Sequence, residues 1–173
     1  MSSGTGGTIA GVSNYLKSRD SKIRVILADP NGSSLHMKVK FGVCYTSQQA
    51  ERIVRKHRYD SIVEGVGLDR LTKNFNKAVI DDSYQACDQE IVDMAHWLLS
   101  NEGIFVGSSS ALNVAVAAKA ARALPEASTV VTIICDSGQR HLSRLWSRDY
   151  VASYNIKWPE DSKKVVPECL RGL

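Results

Sequence analysis

Met1-Ser2-Ser3-Gly4-Thr5-Gly6-Gly7-Thr8, running into Ile9-Ala10-Gly11-Val12-Ser13-Asn14-Tyr15-Leu16-Lys17, is the stretch on which the reading of this chain turns. Ile9, Val12 and Leu16 have helical spacing, so the glycine- and threonine-rich segment before them is a tight loop feeding a helix. Glycines leave backbone N–H groups bare, and a helix start adds unpaired donors and a favourable dipole, which together suit an anion such as phosphate. Two familiar phosphate loops fail to match. A nucleotide P-loop needs Lys and Ser or Thr after its last glycine, whereas Gly7 is followed by Thr8 and Ile9 and the first lysine is Lys17. A dinucleotide fingerprint needs a third glycine where Ile9 stands, and a strand ahead of the loop that this stretch does not supply. A glycine-rich helix cap without a ligand stays open on these residues alone.

The 173 residues suffice for one domain or for an incomplete piece of a larger one, and 43% hydrophobic content is that of a globular core. The net charge of +4 is modest. Its one basic concentration, Arg52, Arg55, Lys56, His57 and Arg58, lies in a polar helical stretch without interleaved aromatics, so it reads as a solvated face and not as a nucleic-acid surface. Cys44, Cys87, Cys135 and Cys169 are far apart and form no Cys-x-x-Cys pair, which indicates neither a metal site nor a disulfide framework. The start has no apolar signal core and no run approaches bilayer-spanning length, so the expectation is a reducing compartment, cytoplasmic or mitochondrial, with no membrane partner.

Along the chain, Lys22 to Ala28 reads as a buried strand closed by Asp29-Pro30-Asn31-Gly32-Ser33, Ser34 to Thr46 as irregular, and Gln48 to Arg58 as a polar helix. Gly65 and Gly67 interrupt an apolar run over Ser61 to Asp69, and a short strand is expected around Ala78 to Asp81. Asp88 to Ser100 is the clearest helix, with Ile91, Met94, Ala95 and Leu98 on one face and Cys87 or Asp88 as its cap. Ile104-Phe105-Val106 reads as a brief strand, Ala111 to Leu124 as an alanine-rich helix capped by Ser108, Ser109 and Ser110, and Thr129 to Cys135 as a strongly apolar strand. The polar loop Asp136 to Ser143 follows, then a helix beyond Arg144 carrying Leu145, Trp146 and Tyr150. This alternation predicts an α/β fold: a three-layer open sheet, mostly parallel, with helices on both faces, over residues 1–154, and a polar tail over 155–173. Ligand chemistry in such folds sits at the carboxyl ends of the strands.

Four loops in order, Ser3-Gly4-Thr5-Gly6-Gly7-Thr8 with Ile9 and Gly11, Glu64-Gly65-Val66-Gly67, Asn101 to Gly107 with Ser108 to Ala111, and Asp136-Ser137-Gly138-Gln139-Arg140-His141-Leu142-Ser143, make the chain resemble the cysteine synthase and cystathionine β-synthase family of pyridoxal-phosphate enzymes, those of fold type II. The resemblance implies pyridoxal 5′-phosphate as cofactor, with Gly4, Thr5, Gly6, Gly7 and Thr8 holding its phosphate and Ser137 meeting its pyridine nitrogen. It implies that Gly65 and Gly67 face the cofactor ring and a bound amino-acid substrate, that the reaction is β-replacement or β-elimination on an O-activated serine or cysteine, and that the complete enzyme is a homodimer. Cys135 stands where many relatives have proline. The serine beside His141 suggests nucleophilic catalysis only superficially, because no ordered acidic partner for His141 is visible in the sequence.

The family holds its cofactor through a Schiff-base lysine in the N-terminal half, and none of Lys17, Lys38, Lys40 or Lys73 lies in a matching motif, so no catalytic residue is assigned. The chain therefore reads as the C-terminal part of a complete enzyme. The alternative is a non-catalytic phosphate-binding or partner module, or a pseudogene product. Without a strand feeding the opening loop, neighbouring strands are expected to expose sheet edge and apolar surface.

Overall fold

The computed structural model describes residues 1–45, 61–161 and 166–171. The helix expected over Gln48 to Arg58 lies outside the described residues. Helix α1 spans Gly7–Arg19, β1 Ile26–Pro30, α2 Leu35–Phe41, β2 Asp82–Ala86, α3 Asp88–Trp97, α4 Ser108–Arg122 and α5 Arg148–Ser153. The α/β class with a parallel sheet is what the structure has: β1 and β2 pair in parallel, from Ile26 opposite Asp82 to Pro30 opposite Ala86. Ser2 bridges Ala28 in the same sense, so the residues ahead of the glycine loop do run as a short strand-like stub on the far edge of β1. Met1 contributes its ammonium to Ile26 O at 2.8 Å and accepts from Ala28 N at 2.9 Å.

Several elements sit elsewhere than the local pattern places them. Strand β1 starts four residues later than its apolar run and continues through Asp29-Pro30, the pair that reads as a terminator. Asp81 sets this register, accepting from Val25 N at 2.6 Å while its own N–H donates to Val25 O at 2.9 Å. The strand expected at Ala78 to Asp81 forms instead at Asp82–Ala86, after a 3-10 turn over Phe75–Lys77. The Val79 N–H is taken by Ser13 Oγ at 3.0 Å, which removes it from a ladder. Residues 35–41, expected irregular, form α2, which Gly42 closes in the left-handed region by donating to Lys38 O. Helix α4 begins at Ser108, three residues before the expected Ala111, and α5 waits for the cap at Ser147, whose hydroxyl accepts from Tyr150 N.

Helix α3 behaves as its amphipathic pattern dictates. Ile91, Met94, Ala95 and Leu98 are buried, the Cys87 N–H donates to Glu90 Oε2 at 2.8 Å as in a capping box, and Asp88 turns away to accept from Ser61 Oγ and Ile62 N. The main core packs this face against Leu112, Ala115 and Val116 of α4, with Val106, Leu145 and Val151. A second core joins Ile9 of α1 to Leu27, Leu35 and Phe75. Each fully buried Leu, Ile, Val or Met among these contributes about 1.5–3 kcal/mol through area removed from water. The polar tail is packed as well: Ile156 and Cys169 enter the main core, Gln89 and Lys157 exchange two hydrogen bonds, and Arg122 donates to Glu168 O at 3.0 Å.

Thr129 to Cys135 is the outlier. No ladder forms along it among the described residues, and Val131 is 85% exposed. Val130, Val131, Ile133 and Ile134 are exposed, so the expected apolar surface is present, whereas the strand expected over this segment is not formed among the described residues.

Two buried titratable groups give the fold opposed pH responses. His96 is buried between Trp146 and Trp158, ring centroids at 4.7 and 4.5 Å, and burial lowers its pKa from 6.5 to about 4. Below pH 6.5 the unfolded chain takes up a proton that native His96 refuses, so stability falls with pH through about 4, by at most ~3 kcal/mol. Asp29 is fully buried, donated to by His36 N at 2.8 Å, and burial pushes its carboxyl up to about 7, so its contribution is whole below pH 3.8 and is lost as pH rises through about 7. In denaturant titrations, H96F is expected to flatten the acid limb between pH 6.5 and 4. D29N keeps an acceptor for His36 and is expected to gain on the wild type above pH 7.

Candidate functional site

The opening loop and the Glu64–Gly67 loop are built against each other. Gly6 precedes α1 with φ +86°, a left-handed conformation favouring glycine, and a Cβ there would sit 2.6 Å from Phe75 backbone. A Cβ on Gly4 would lie 2.5 Å from the Gly65 carbonyl oxygen, so only a bare α-carbon lets the loops approach this closely. Ser3 O accepts from Gly67 N at 2.9 Å, and Thr5 O from Thr72 Oγ1 at 2.5 Å. The first bond within α1 is Ala10 N to Gly6 O, so Gly7, Thr8 and Ile9 precede any intrahelical acceptor and direct their N–H groups out of the helix start.

A cavity of about 420 Å³ opens there. Residues 1–9 form one wall, Glu64, Gly65 and Val66 the second, and Ser109, Asn113, Ile133 and Cys135 the floor. Of the residues singled out from sequence, Gly4, Thr5, Gly6, Gly7, Thr8 and Gly65 therefore converge on one space. Gly67 does not line it; it backs onto Pro30 and Ser33. The lining reaches Cys135 and stops short of Ser137, which is exposed at the antiparallel bridge to Val106, its hydroxyl accepting from Gln139 N at 3.4 Å. The described lining carries no lysine side chain.

The serines ahead of Ala111 are more than caps. Gly107 occupies the cap position of α4, and the serines lie buried inside its first turn. Ser108 Oγ accepts from Glu64 N at 3.2 Å, and Ser110 Oγ accepts from Cys135 N at 2.8 Å and Asp136 N at 3.3 Å. Asn113, one turn on and 2% exposed, accepts from Ser2 N at 2.6 Å and donates to Ile133 O at 2.9 Å. Sequence reasoning missed Asn113, although a polar residue three positions after Ser110, on an otherwise alanine-rich face, was the available signal.

His141 does have an ordered acid, contrary to expectation: its Nε2 lies 2.8 Å from Asp136 Oδ2, brought there by the 3-10 turn Gly138–His141. Ser137 bonds Gln139 instead of this imidazole, so the three do not form a nucleophilic triad. Arg144 pairs with Glu64 at 2.7 Å, joining the rims of the two ligand-side loops. The result is a glycine-walled cavity with outward N–H groups at a helix start, which can hold an oxyanion bearing a planar group of modest size.

Comparison with known proteins gives the same direction. The family described as pyridoxal-phosphate dependent enzyme matches residues 1–136. The chain is 47% identical over 156 residues to cysteine synthase 2 of Schizosaccharomyces pombe, covering 89% of this chain and 40% of that protein. A Saccharomyces cerevisiae relative with mitochondrial cysteine synthase in its name is 44% identical over 161 residues, covering 91% of this chain and 41% of that one. The crystal structure of O-acetylserine dependent cystathionine beta-synthase from Helicobacter pylori superposes with a TM-score of 0.66 at 32% identity, over 83% of this chain and 41% of that chain. The chain thus spans about two-fifths of the length of these relatives.

Ser110→Ala strips the acceptor from the Cys135 and Asp136 N–H groups and is expected to cost about 1–3 kcal/mol in denaturant unfolding. Ser109→Ala, which leaves those bonds in place, is expected to cost less.

Proposed function

We propose, since this chain belongs to the pyridoxal-phosphate dependent enzyme family, that it forms the C-terminal portion of a cysteine synthase-like catalytic unit, residues 1–154 with the tail 155–173, whose glycine-walled cavity holds the phosphate of pyridoxal 5′-phosphate. The observation that carries this reading is the meeting of Gly4–Thr8 with Gly65 over one cavity at the start of α1, within the stretch that the family match covers.

The residues present suit the group. A phosphate dianion gains from the N–H groups of Gly7, Thr8 and Ile9 and from the helix dipole, worth about 0.3–1 kcal/mol for the dipole alone. Thr5 and Thr8 add hydroxyl donors at the same rim. Side chains at Gly4 or Gly6 would push the loops apart and close the space. We assign Ser137 to the pyridine nitrogen: its hydroxyl proton stays free to donate because its oxygen is the acceptor in the Gln139 bond. When bound, the cofactor supplies an electron sink for the bonds around the α-carbon of an amino acid. The Glu64–Gly67 loop presents backbone to the amino-acid substrate, with Gly65 on the wall and Gly67 fixing the loop against Pro30. Arg144 restrains Glu64 at the rim, a half-exposed pair worth at most ~1 kcal/mol.

The substrate class is an O-activated serine or cysteine undergoing β-replacement or β-elimination, and the complete enzyme is a homodimer of the cytoplasm or the mitochondrion. The cavity's lysine-free described lining also supports a second reading, a binding module without catalysis of its own. Amide exchange of Gly6–Ile9, with and without pyridoxal phosphate, tests the cofactor reading. Slowed exchange that G4V reduces at least tenfold in ligand concentration is expected, and unchanged exchange at saturating ligand rejects it. Conversion of O-acetylserine by the 173-residue chain alone would overturn the assignment of catalysis to a larger unit.

A further inference from the structure

Ser137 is exposed, yet both of its chain neighbours are pinned. Asp136 is held at three points: its N–H donates to Ser110 Oγ at 3.3 Å, its carbonyl accepts from Gly107 N at 3.1 Å, and its carboxylate Oδ2 lies 2.8 Å from His141 Nε2. On the other side, Gly138 N donates to Phe105 O at 3.2 Å. The 3-10 turn Gly138–His141 thus brings the chain back on itself, and the imidazole closes a clasp from the fourth residue after Ser137 to the residue before it. His141 is fixed in turn: it is 5% exposed, and its carbonyl accepts from Arg144 N and Trp146 N at 3.1 Å each.

Packing alone does not account for an imidazole at this place. Nδ1 is buried with no hydrogen-bond partner among the described residues, which leaves Asp136 as the polar contact of the ring. An apolar side chain of similar size would avoid the cost of that unpaired nitrogen. The backbone around the pair is also pared down to admit it. A Cβ on Gly107 would lie 2.2 Å from Asp136 Oδ1 and 2.5 Å from His141 Nε2, and a Cβ on Gly138 would lie 2.6 Å from the Phe105 ring. What the clasp encloses is a serine whose own side-chain bond is weak: Gln139 N reaches Ser137 Oγ at 3.4 Å, long for a hydrogen bond. That bond does not place the hydroxyl, so its placement falls to the backbone.

We propose that His141 is a positioning residue for Ser137: through its bond to Asp136 it fixes the serine backbone so that the hydroxyl proton meets the pyridine nitrogen of the cofactor. The inference rests on the assignment of Ser137 to that nitrogen and of the glycine wall to the phosphate. A donor of this kind must be held to within about half an ångström by groups that are themselves locked. His141 does not line the cavity, so it acts through its neighbours and not on the ligand. The two ends of the site then have separate supports. The phosphate end depends on Gly4–Thr8 and the start of α1, and the ring end on the Asp136–His141 clasp against Gly107 at the start of α4. Loss of the clasp loosens the ring end alone.

The test titrates the 173-residue chain with two probes. One is 4′-deoxypyridoxine 5′-phosphate, which keeps the ring nitrogen and the phosphate but has no aldehyde to react with surface lysines; the other is inorganic phosphate, which has no ring. S137A is expected to weaken the ring compound about fivefold, the worth of one hydrogen bond, and H141L about threefold. In the S137A background H141L is expected to cost nothing further, and phosphate affinity to stay unchanged throughout. H141Q, whose side-chain amide can stand in for Nε2–H, restores wild-type binding. With the ring nitrogen isotopically labelled, its resonance in the H141L complex moves from the wild-type position toward that of S137A. D136A breaks the same bond from the other side and supplies the second cycle where H141L does not fold. Equal losses with and without the Ser137 hydroxyl overturn the proposal, as does a parallel loss of phosphate affinity or an S137A variant without effect. A wild-type chain that binds neither probe rejects the cofactor reading and this inference with it, whereas binding of both with an additive cycle rejects this inference alone.

Discussion

Three separate segments end their backbone hydrogen bonds on the first two turns of one helix. The N–H of Glu64 stops at Ser108, those of Cys135 and Asp136 stop at Ser110, and Ser2 and Ile133 meet across Asn113. Buried donors that lack acceptors cost 1–3 kcal/mol each, so these small polar side chains are what allows loops, which have no ladder of their own, to sit at fixed positions over an apolar core. The alanines that follow let α4 pack closely on α3, with Leu112, Ala115 and Val116 in the main core. The candidate site is therefore fixed by the interior of α4 and not by the glycine loop that advertises it.

The loops in turn constrain one another through contacts that admit no side chain. Gly4 lies under the Gly65 carbonyl, and Ser3 O takes the N–H of Gly67. Ser33 extends the chain of contacts, its hydroxyl accepting from Leu68 N at 3.0 Å and donating to Leu68 O at 3.1 Å. Beneath it, buried Asp29 receives the His36 N–H at the start of α2. A movement of the glycine wall is thus resisted from two directions, by α4 on one side and by the turn after β1 on the other.

What was legible in the sequence was whatever local chemistry decides. The amphipathic face of α3 with Glu90 at its start, and the glycine run before α1, read correctly because capping and backbone access act over a few residues. Asp29-Pro30 read as a stop, yet a sheet edge tolerates proline and a buried acceptor for α2 uses the aspartate, both tertiary facts. Thr129 to Cys135 has the composition of a strand, but composition cannot supply the neighbour that turns extended chain into ladder. Gly65 and Gly67 look equivalent two residues apart, and only the fold separates the one on the cavity from the one on Pro30. The acid beside His141 was five residues away and invisible because a 3-10 turn, not a helix, brings it round.

Asn113 has two different ends. Ser2 presents an N–H and Ile133 a carbonyl, so the amide has one orientation that satisfies both, and reversing it would set oxygen against oxygen and hydrogen against hydrogen. A slip of either segment by a single residue offers Asn113 the wrong group and turns every side chain of that segment to the opposite face. The asparagine is in this sense a gauge: it measures whether two pieces of chain, remote in sequence, have been brought together in the right phase.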